Sequence, residues 1–369
     1  IFCLFISIRS LFFDQIDYLS ISLKSSGLYF RFIILIFAIN YFLEKNVDLI
    51  KKFTLVFLIT IGFLILDAYI QFFFGRNIFG FENINPVKLN SLFDDRGVLG
   101  SYLVRLLPLI FAVIINQYGL KKNEMILSII LSLIVVLIFI SGSRSSFYLS
   151  ILFLFLIIFL FKGLRTKVII LSFVSIISIS VIGNFNKKID NVINYSLKDP
   201  VVQILHTPDN NLEKISFLNK KFYIFTHIYQ AHYFTAFNMF KDKKIFGQGN
   251  KMFRFLCKEE RFYVNYHSCS THPHNFYIQL LAENGIIGFL FIFIIFISVS
   301  YLLLRELVSR NLKNIKFFND TSLFILIGIF MNLWPIVPSG NFYNNWLSAL
   351  IYLPIGFYFY FNKKEKKNA

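Results

Sequence analysis

The sequence predicts an all-α integral membrane protein of about ten transmembrane helices with one large, mostly helical loop outside the membrane. Three observations lead there. Hydrophobic residues make up 56% of the chain, 49 of them Phe, against 15% charged residues, a balance beyond what a soluble core of this length needs. The apolar residues gather in runs of about 17 or more, the length at which a helix crosses the hydrocarbon layer. Those runs lack the strict alternation of a membrane β-barrel.

In chain order the runs fall at about residues 28–43, 53–74, 98–117, 125–141, 145–161, 168–183, 285–304, 321–337 and 342–361. A tenth apolar piece covers the start, where the chain opens at Ile1 in mid-run, and the reading expects further spans before it. Orientation follows from the short connections, because Lys and Arg collect on the cytoplasmic side. Lys45, Lys51 and Lys52, then Lys121 and Lys122, then Lys162, Arg165 and Lys167, then Arg305, Arg310, Lys313 and Lys316, and finally Lys363 to Lys367 occupy every second connection. The others then face the opposite compartment, the periplasm of a diderm bacterium. Three regions result: a transmembrane bundle over 1–183, a periplasmic loop domain over 184–284, and C-terminal helices with a basic cytoplasmic tail over 285–369.

The loop carries thirteen Lys/Arg against eight Asp/Glu. That excess suits either a solvated surface or one that attracts phosphate-bearing lipid. The spacing of Phe and Tyr in HIYQAHYFTAFNMF predicts an amphipathic helix resting on the membrane. Cys257 and Cys269 share this loop. In an oxidising compartment they can pair; the alternatives are two free thiols, or a zinc site with His267, His272 and His274 whose spacing fits no standard ligand pattern. Tyr343 and Trp346 in SGNFYNNW read as interface anchors.

Charge inside an apolar span is costly and marks function. Arg105 lies about seven residues into its run, roughly 10 Å deep at the helical rise. Arg31 sits near the outer end of its span, where it either snorkels to the interface or serves a ligand. Arg144 occupies the outer turn Ser141-Gly142-Ser143-Arg144-Ser145-Ser146. Guanidinium forks of this kind suit a pyrophosphate.

The segment Thr271-His272-Pro273-His274-Asn275 runs directly into FYIQLLAENG and the span behind it. Thr271 is a candidate helix cap, Pro273 suits a first turn, and Gly285 can end or kink the helix. The free amides at such a helix start favour an anion. His274 beside it either stabilises charge when protonated or, neutral, accepts a proton from an attacking hydroxyl. The plain alternative is a histidine hydrogen-bonded to its own loop.

HPHNFYIQLLAENG, in which ten residues separate His274 from Gly285, resembles the histidine motif of the bacterial O-antigen ligase and O-antigen polymerase superfamily. ISGSRSS resembles that family's Ser-Arg turn, FKDKKIFGQGNKMF its apolar pair followed by Gly-x-Gly, and FDDRGVLGSYLVRLLPLI its earlier span with the Arg-x-x-x-Leu pattern at Arg105. The likeness covers about residues 90–290. It implies a membrane-embedded glycosyltransferase that moves a glycan from undecaprenyl pyrophosphate to a sugar hydroxyl, inverting, without metal, nucleotide sugar or other cofactor, and with no nucleic-acid partner.

In that scheme Arg144 and Arg105 hold the pyrophosphate, and His274 activates the acceptor or contacts the pyrophosphate. His272, His232, Arg254 and Arg31 are the further candidate substrate contacts. One departure is visible. Where the family has another arginine before the loop's amphipathic helix, THIYQAHYFTAF offers His227 and His232, with Arg254 as the other candidate replacement. Asp94 and Asp95 read as turn residues or as groups that orient the acceptor.

The resemblance implies lipid A-core as the acceptor of a ligase, or a growing repeat-unit glycan as that of a polymerase, both on the periplasmic face of the inner membrane. A transporter or flippase for the lipid-linked glycan is the competing class. It predicts mid-membrane charges lining a path and paired broken helices, whereas the charges in this sequence crowd one face.

Overall fold

The apolar runs fold as helices. The computed structural model describes residues 1–11, 16–83, 85, 87–93, 96–199 and 226–368; Asp94 and Asp95 lie outside these, as does the side chain of His227. In chain order the helices that matter below are α1 (Phe2–Leu11), α2 (Ile16–Gly27), α3 (Phe30–Lys45), α4 (Asp48–Phe74), α5 (Leu99–Tyr118), α6 (Glu124–Ile140), α7 (Arg144–Leu160), α8 (Lys162–Gly183), α9 (Lys187–Ile193), α10 (His227–Asp242), α11 (Phe253–Leu256), α12 (Phe276–Val308), α13 (Asp320–Asn332) and α14 (Asn345–Asn368). Among the described residues there is no strand, and Arg76 and Glu82 form an isolated bridge.

Among the described residues, five segments are long and apolar enough to cross a membrane: Tyr18–Lys45, Asp48–Phe74, Leu99–Tyr118, Lys162–Gly183 and Phe276–Lys313. Four shorter apolar helices, α1, α6, α7 and α13, accompany them. This is a multi-pass membrane protein. The two spans expected over 321–337 and 342–361 are separated more widely than the hydropathy suggested. Helix α13 stops at Asn332 and α14 begins at Asn345, because Pro335 and Pro338 lack the amide that a helix interior needs.

The chain divides into two compact units. The first comprises Ile1–Ile33, Leu197–Ile297 and Pro335–Ala349; the second comprises Ile34–Ser196, Ser298–Trp334 and Leu350–Ala369.

In the second unit α5 is the core. Every residue from Leu103 to Ile115 is buried, including Arg105. Aromatic rings fill the space around it: Phe111 meets Phe153 at 5.7 Å and Phe324 at 5.2 Å between ring centres, and Phe161 stacks on Phe324 at 4.2 Å. The loop after α4 is tied back by buried polar groups. The Asp67 carboxylate accepts from the Ser91 hydroxyl and from the Ile78 N–H at 2.9 Å, and Gln71 Oε1 accepts from the Ser91 N–H at 2.7 Å. The turn between α6 and α7 needs its glycine. Gly142 has φ 66°, and a Cβ there would sit 1.8 Å from the Val87 carbonyl oxygen, an overlap no side chain tolerates.

The first unit holds most of the described part of the long loop. Ala236 and Met239 of α10, Met252, Phe253, Leu256 and Phe262 form its apolar core, with Cys257 buried among them. Cys257 is disulfide-bonded to Cys269, twelve residues on. This pairing settles the cysteine alternatives: neither sulfur is free to ligate zinc. Helix α12 breaks at Gly285 (φ 65°, ψ −167°). The break releases the carbonyls of Ala282 and Glu283, which accept from the N–H groups of Gln248 and Gly249 at 2.9 and 2.8 Å, while the Ile286 N–H donates to Lys244 O at 2.8 Å. Backbone of the Ile245–Phe246 peptide occupies the place of a Gly285 Cβ, so only glycine fits.

Candidate active site

The site in the first unit is built around the start of α12. Asn275, not Thr271, caps the helix: its Oδ1 accepts from the N–H groups of Tyr277 and Ile278 at 3.0 and 3.2 Å. Pro273 therefore lies before the helix rather than in its first turn. Between them His274 adopts φ 58°, a left-handed conformation uncommon outside glycine. The segment before α14 holds it there. Ser339 donates its N–H to His274 O at 2.8 Å and accepts the Phe276 N–H on its hydroxyl at 2.8 Å, and Asn275 Nδ2 donates to Pro335 O at 2.8 Å.

That backbone turn brings His232, which the sequence offered only as a replacement for an arginine, beside His272 and His274 of the histidine motif. The His272 and His274 ring centres lie 4.2 Å apart, and His274 stacks on His232 of α10 at 5.3 Å. Tyr229, one turn before His232, places its ring 5.1 Å from His274. His274 Nε2 is 3.2 Å from the Ser270 hydroxyl, and His272 Nδ1 is 2.9 Å from that of Thr271. His232 Nδ1 is buried with no hydrogen-bond partner among the described residues, whereas the Ser339 backbone lies close enough to the buried His272 ring to act on it.

All three imidazoles are neutral at physiological pH. Burial lowers His272 from the ordinary 6.5 to about 3, helped by repulsion from His274 and His232 and opposed by a hydrogen bond to the Ser339 backbone. Burial lowers His232 to about 4, with His274 and His267 adding to it, and lowers His274 as well. Desolvation disfavours the imidazolium wherever no anion accompanies it. A neutral imidazole offers a lone pair, so this is a proton-accepting group of bases rather than a cationic one.

The cationic part of the site lies in other side chains of the same unit. Arg254 donates to the Thr271 carbonyl at 3.5 Å and acts electrostatically on His272. Lys251 is pushed below its ordinary range by burial and by Arg254, Arg31 and Lys24, with Glu283 opposing. Arg31, exposed, donates to the Asn345 side chain and lies 4.9 Å over the Phe32 ring. Lys251 and Lys24 were not legible as members of this group. Lys251 directly follows Gly-Gln-Gly-Asn, which was the available signal.

The backbone from Lys251 to Phe253, just before Arg254, is held by a buried carboxylate. Glu283 accepts from the N–H groups of Lys251 and Phe253 and from Gln279 Nε2, each at 3.0 Å. Gln279 also donates to Asn341 Oδ1 at 3.1 Å and accepts the Phe342 N–H at 2.9 Å. Tyr343, expected at the membrane interface, is instead buried, its hydroxyl 2.8 Å from Asn250 Oδ1 and 2.6 Å from Asn284 Oδ1; Trp346 is half-buried.

Arg105 and Arg144 belong to the second unit. Arg105 is buried, donates to Asn332 Oδ1 at 2.8 Å, and has no hydrogen-bond partner at Nε among the described residues. Arg144 begins α7 and lies 3.7 Å over the Tyr195 ring, a cation–π contact that fixes the guanidinium plane. Among the described residues no set of three or more His, Cys, Asp or Glu is arranged to hold a metal ion.

No curated protein and no solved structure matches the chain. Residues 129–293, which hold Arg144, His232, Arg254, His272 and His274, match the family model described as O-antigen ligase, and this match supports the O-antigen ligase superfamily.

Proposed function

We propose that the protein transfers a glycan from undecaprenyl pyrophosphate to a hydroxyl of lipid A-core, at the periplasmic face of the bacterial inner membrane. In this reading about ten spans carry the site, and the periplasmic loop domain of 184–284 supplies most of its polar groups. The family match supports a ligase- or polymerase-type glycosyltransferase. The observation that carries the finer reading is the neutral imidazole cluster at the start of α12, beside Arg254 and Lys251.

His274 accepts the proton of the attacking hydroxyl, so that the oxygen enters as a stronger nucleophile. The new glycosidic C–O bond forms at the anomeric carbon as the bond to the pyrophosphate oxygen breaks. The electron pair leaves with undecaprenyl pyrophosphate, and the configuration inverts. Developing charge on the leaving group is met by guanidinium forks, for which Arg144 and Arg105 are the proposed residues, with Arg254, Arg31 and Lys251 adding positive potential. His232 and His272 complete a dry, uncharged wall around the base and keep it unprotonated.

Protein reconstituted in vesicles with purified lipid-linked glycan and lipid A-core tests the proposal. Formation of glycosylated lipid A-core is expected. Translocation of the donor with no new glycosidic bond would instead mark a transporter. A product ladder built on the donor itself would move the assignment to the polymerase that uses the same chemistry.

A further inference from the structure

The segment Cys269-Ser270-Thr271-His272-Pro273-His274 carries a hydroxyl outside the chemistry described so far. Ser270 Oγ lies 3.2 Å from His274 Nε2. The two residues are joined by irregular backbone, so no helical spacing brings their side chains together.

The contact is enforced from both ends of the segment. Cys269 is bonded to Cys257, which is buried in the apolar core beside Met252, Phe253 and Leu256. The turn leading into Cys269 is itself closed, because the Ser268 hydroxyl accepts from the N–H groups of Val264 and Asn265 at 2.8 and 2.9 Å. At the other end the Ser339 N–H on the His274 carbonyl holds His274 at φ 58°. With the backbone fixed on both sides, little conformational freedom is lost when the two side chains meet.

A hydroxyl can donate or accept, so the imidazole decides the direction of the bond. Burial keeps His274 neutral, and a neutral imidazole has one N–H and one lone pair, on different nitrogens. With the proton on Nδ1, that N–H has no acceptor among the described residues, and the lone pair of Nε2 is spent on Ser270. With the proton on Nε2, Ser270 Oγ accepts it and the lone pair of Nδ1 stays open. Donors in folded proteins are nearly always satisfied, which favours the second arrangement. His274 is half-buried, so its ring is not closed off from a substrate.

We infer that Ser270 is a positioning residue for the proposed transfer: it accepts the Nε2–H of His274, fixes the ring and its tautomer, and makes Nδ1 the atom that takes the proton of the attacking hydroxyl. The inference rests on the reading of His274 as the base. The hydroxyl proton passes to Nδ1 as its oxygen bonds to the anomeric carbon, and the pyrophosphate leaves with the electron pair of the bond it breaks. The resulting imidazolium donates from Nε2 to Ser270, a charge-assisted bond stronger than the neutral one. Ser270 keeps its own proton throughout, and the Cys257–Cys269 disulfide keeps Ser270 in place.

Nitrogen NMR of the full chain with isotope-labelled histidine in vesicles reads the tautomer without any transfer reaction, with His274 assigned through Pro273 and Asn275. The proton is expected on Nε2; a proton on Nδ1 would overturn the inference. In the transfer assay with undecaprenyl-pyrophosphate glycan and lipid A-core, Ser270→Ala should lower kcat roughly 10²-fold, the cost of misplacing a catalytic group by about 1 Å. KM should be nearly unchanged, and Ser270→Thr, which keeps the hydroxyl, should restore most of the rate. Retention of the disulfide and of the thermal midpoint shows that each variant is folded. Wild-type kcat in folded Ser270→Ala, or a loss that Ser270→Thr leaves unrestored, would also overturn the inference. Wild-type protein that makes no glycosidic bond would instead sink the proposed reaction, with the tautomer still deciding whether Ser270 orients the ring.

Discussion

Helix α12 and the imidazole cluster at its start treat their polar side chains in opposite ways. From Asn275 to Asn284 the buried Asn, Gln and Glu are bonded on both sides: Asn275 to Pro335 O, Gln279 to Asn341 and Phe342, Glu283 to Lys251 and Phe253, and Asn284 to Tyr343 and Asn250. Across the cluster from the turn before the helix, His232 Nδ1 is buried without a hydrogen-bond partner among the described residues. The second unit repeats the contrast with two buried guanidiniums. Arg310 is met by Glu306 at 2.5 Å, Asp320 at 2.8 Å, Phe318 O at 2.7 Å and Leu160 O at 3.4 Å, whereas Arg105 has Asn332 alone among the described residues. Buried polar groups are nearly always satisfied. Where an apolar molecule closes such a network it is holding itself together; where it leaves one open, a ligand has something to complete.

The sharpest separation of the two kinds comes from the arginines. Arg310→Met leaves the buried Glu306 carboxylate without its cation, while Asp320 keeps Lys316 at 3.3 Å, and should cost about 3–5 kcal/mol of stability, read as a fall in the thermal midpoint of purified protein. Arg105→Met removes a charge with no carboxylate partner among the described residues, so its midpoint should hold or rise while glycan transfer falls roughly 10²–10³-fold. Equal losses of stability in both would erase the distinction.

Glu283→Ala probes the closed network of the first unit. It leaves the Lys251 and Phe253 amides without their acceptor, for about 3 kcal/mol at the usual penalty for buried orphaned donors. Limited proteolysis of the 244–254 segment is the readout, and accelerated cleavage is the expected result.

The open cluster should announce itself through pH. An imidazole held at about 4 when folded and near 6.5 when unfolded binds fewer protons in the native state between those values, so stability is full above about pH 6.5 and falls as the pH drops toward 4. His232 alone should account for about 2 kcal/mol between pH 7 and pH 5. The slope of midpoint against pH should flatten in His232→Leu; an unchanged slope would mean that the imidazole is solvated.

Much of this was legible in the sequence, for identifiable reasons. Apolar runs over α4 to α8 announce themselves because lipid-facing and core-facing positions are both hydrophobic. The histidine segment stands out because titratable groups are rare beside a span. Other features depend on distant pairing. Thr271 looks as good a cap as Asn275 until Ser339 fixes His274 at positive φ. Tyr343 has the composition of an interface anchor, and its burial against Tyr29, Asn250 and Asn284 depends on residues far away in the chain. The role of residues 335–349 in holding the start of α12 has no local signature beyond Pro335 and Pro338. Lys251 joins the basic group because Glu283 fixes its backbone at φ 61°, a pairing no motif spacing declares.

In the proposed reaction the open imidazole cluster does the chemistry and the closed helix behind it is structural. The deciding measurement is the transfer rate of His274→Ala in vesicles containing purified undecaprenyl-pyrophosphate glycan and lipid A-core. A rate reduced about 10²–10⁴-fold is expected, the range for loss of a general base, with the Cys257–Cys269 disulfide and the thermal midpoint preserved. Transfer at the wild-type rate in a folded His274→Ala protein would contradict it.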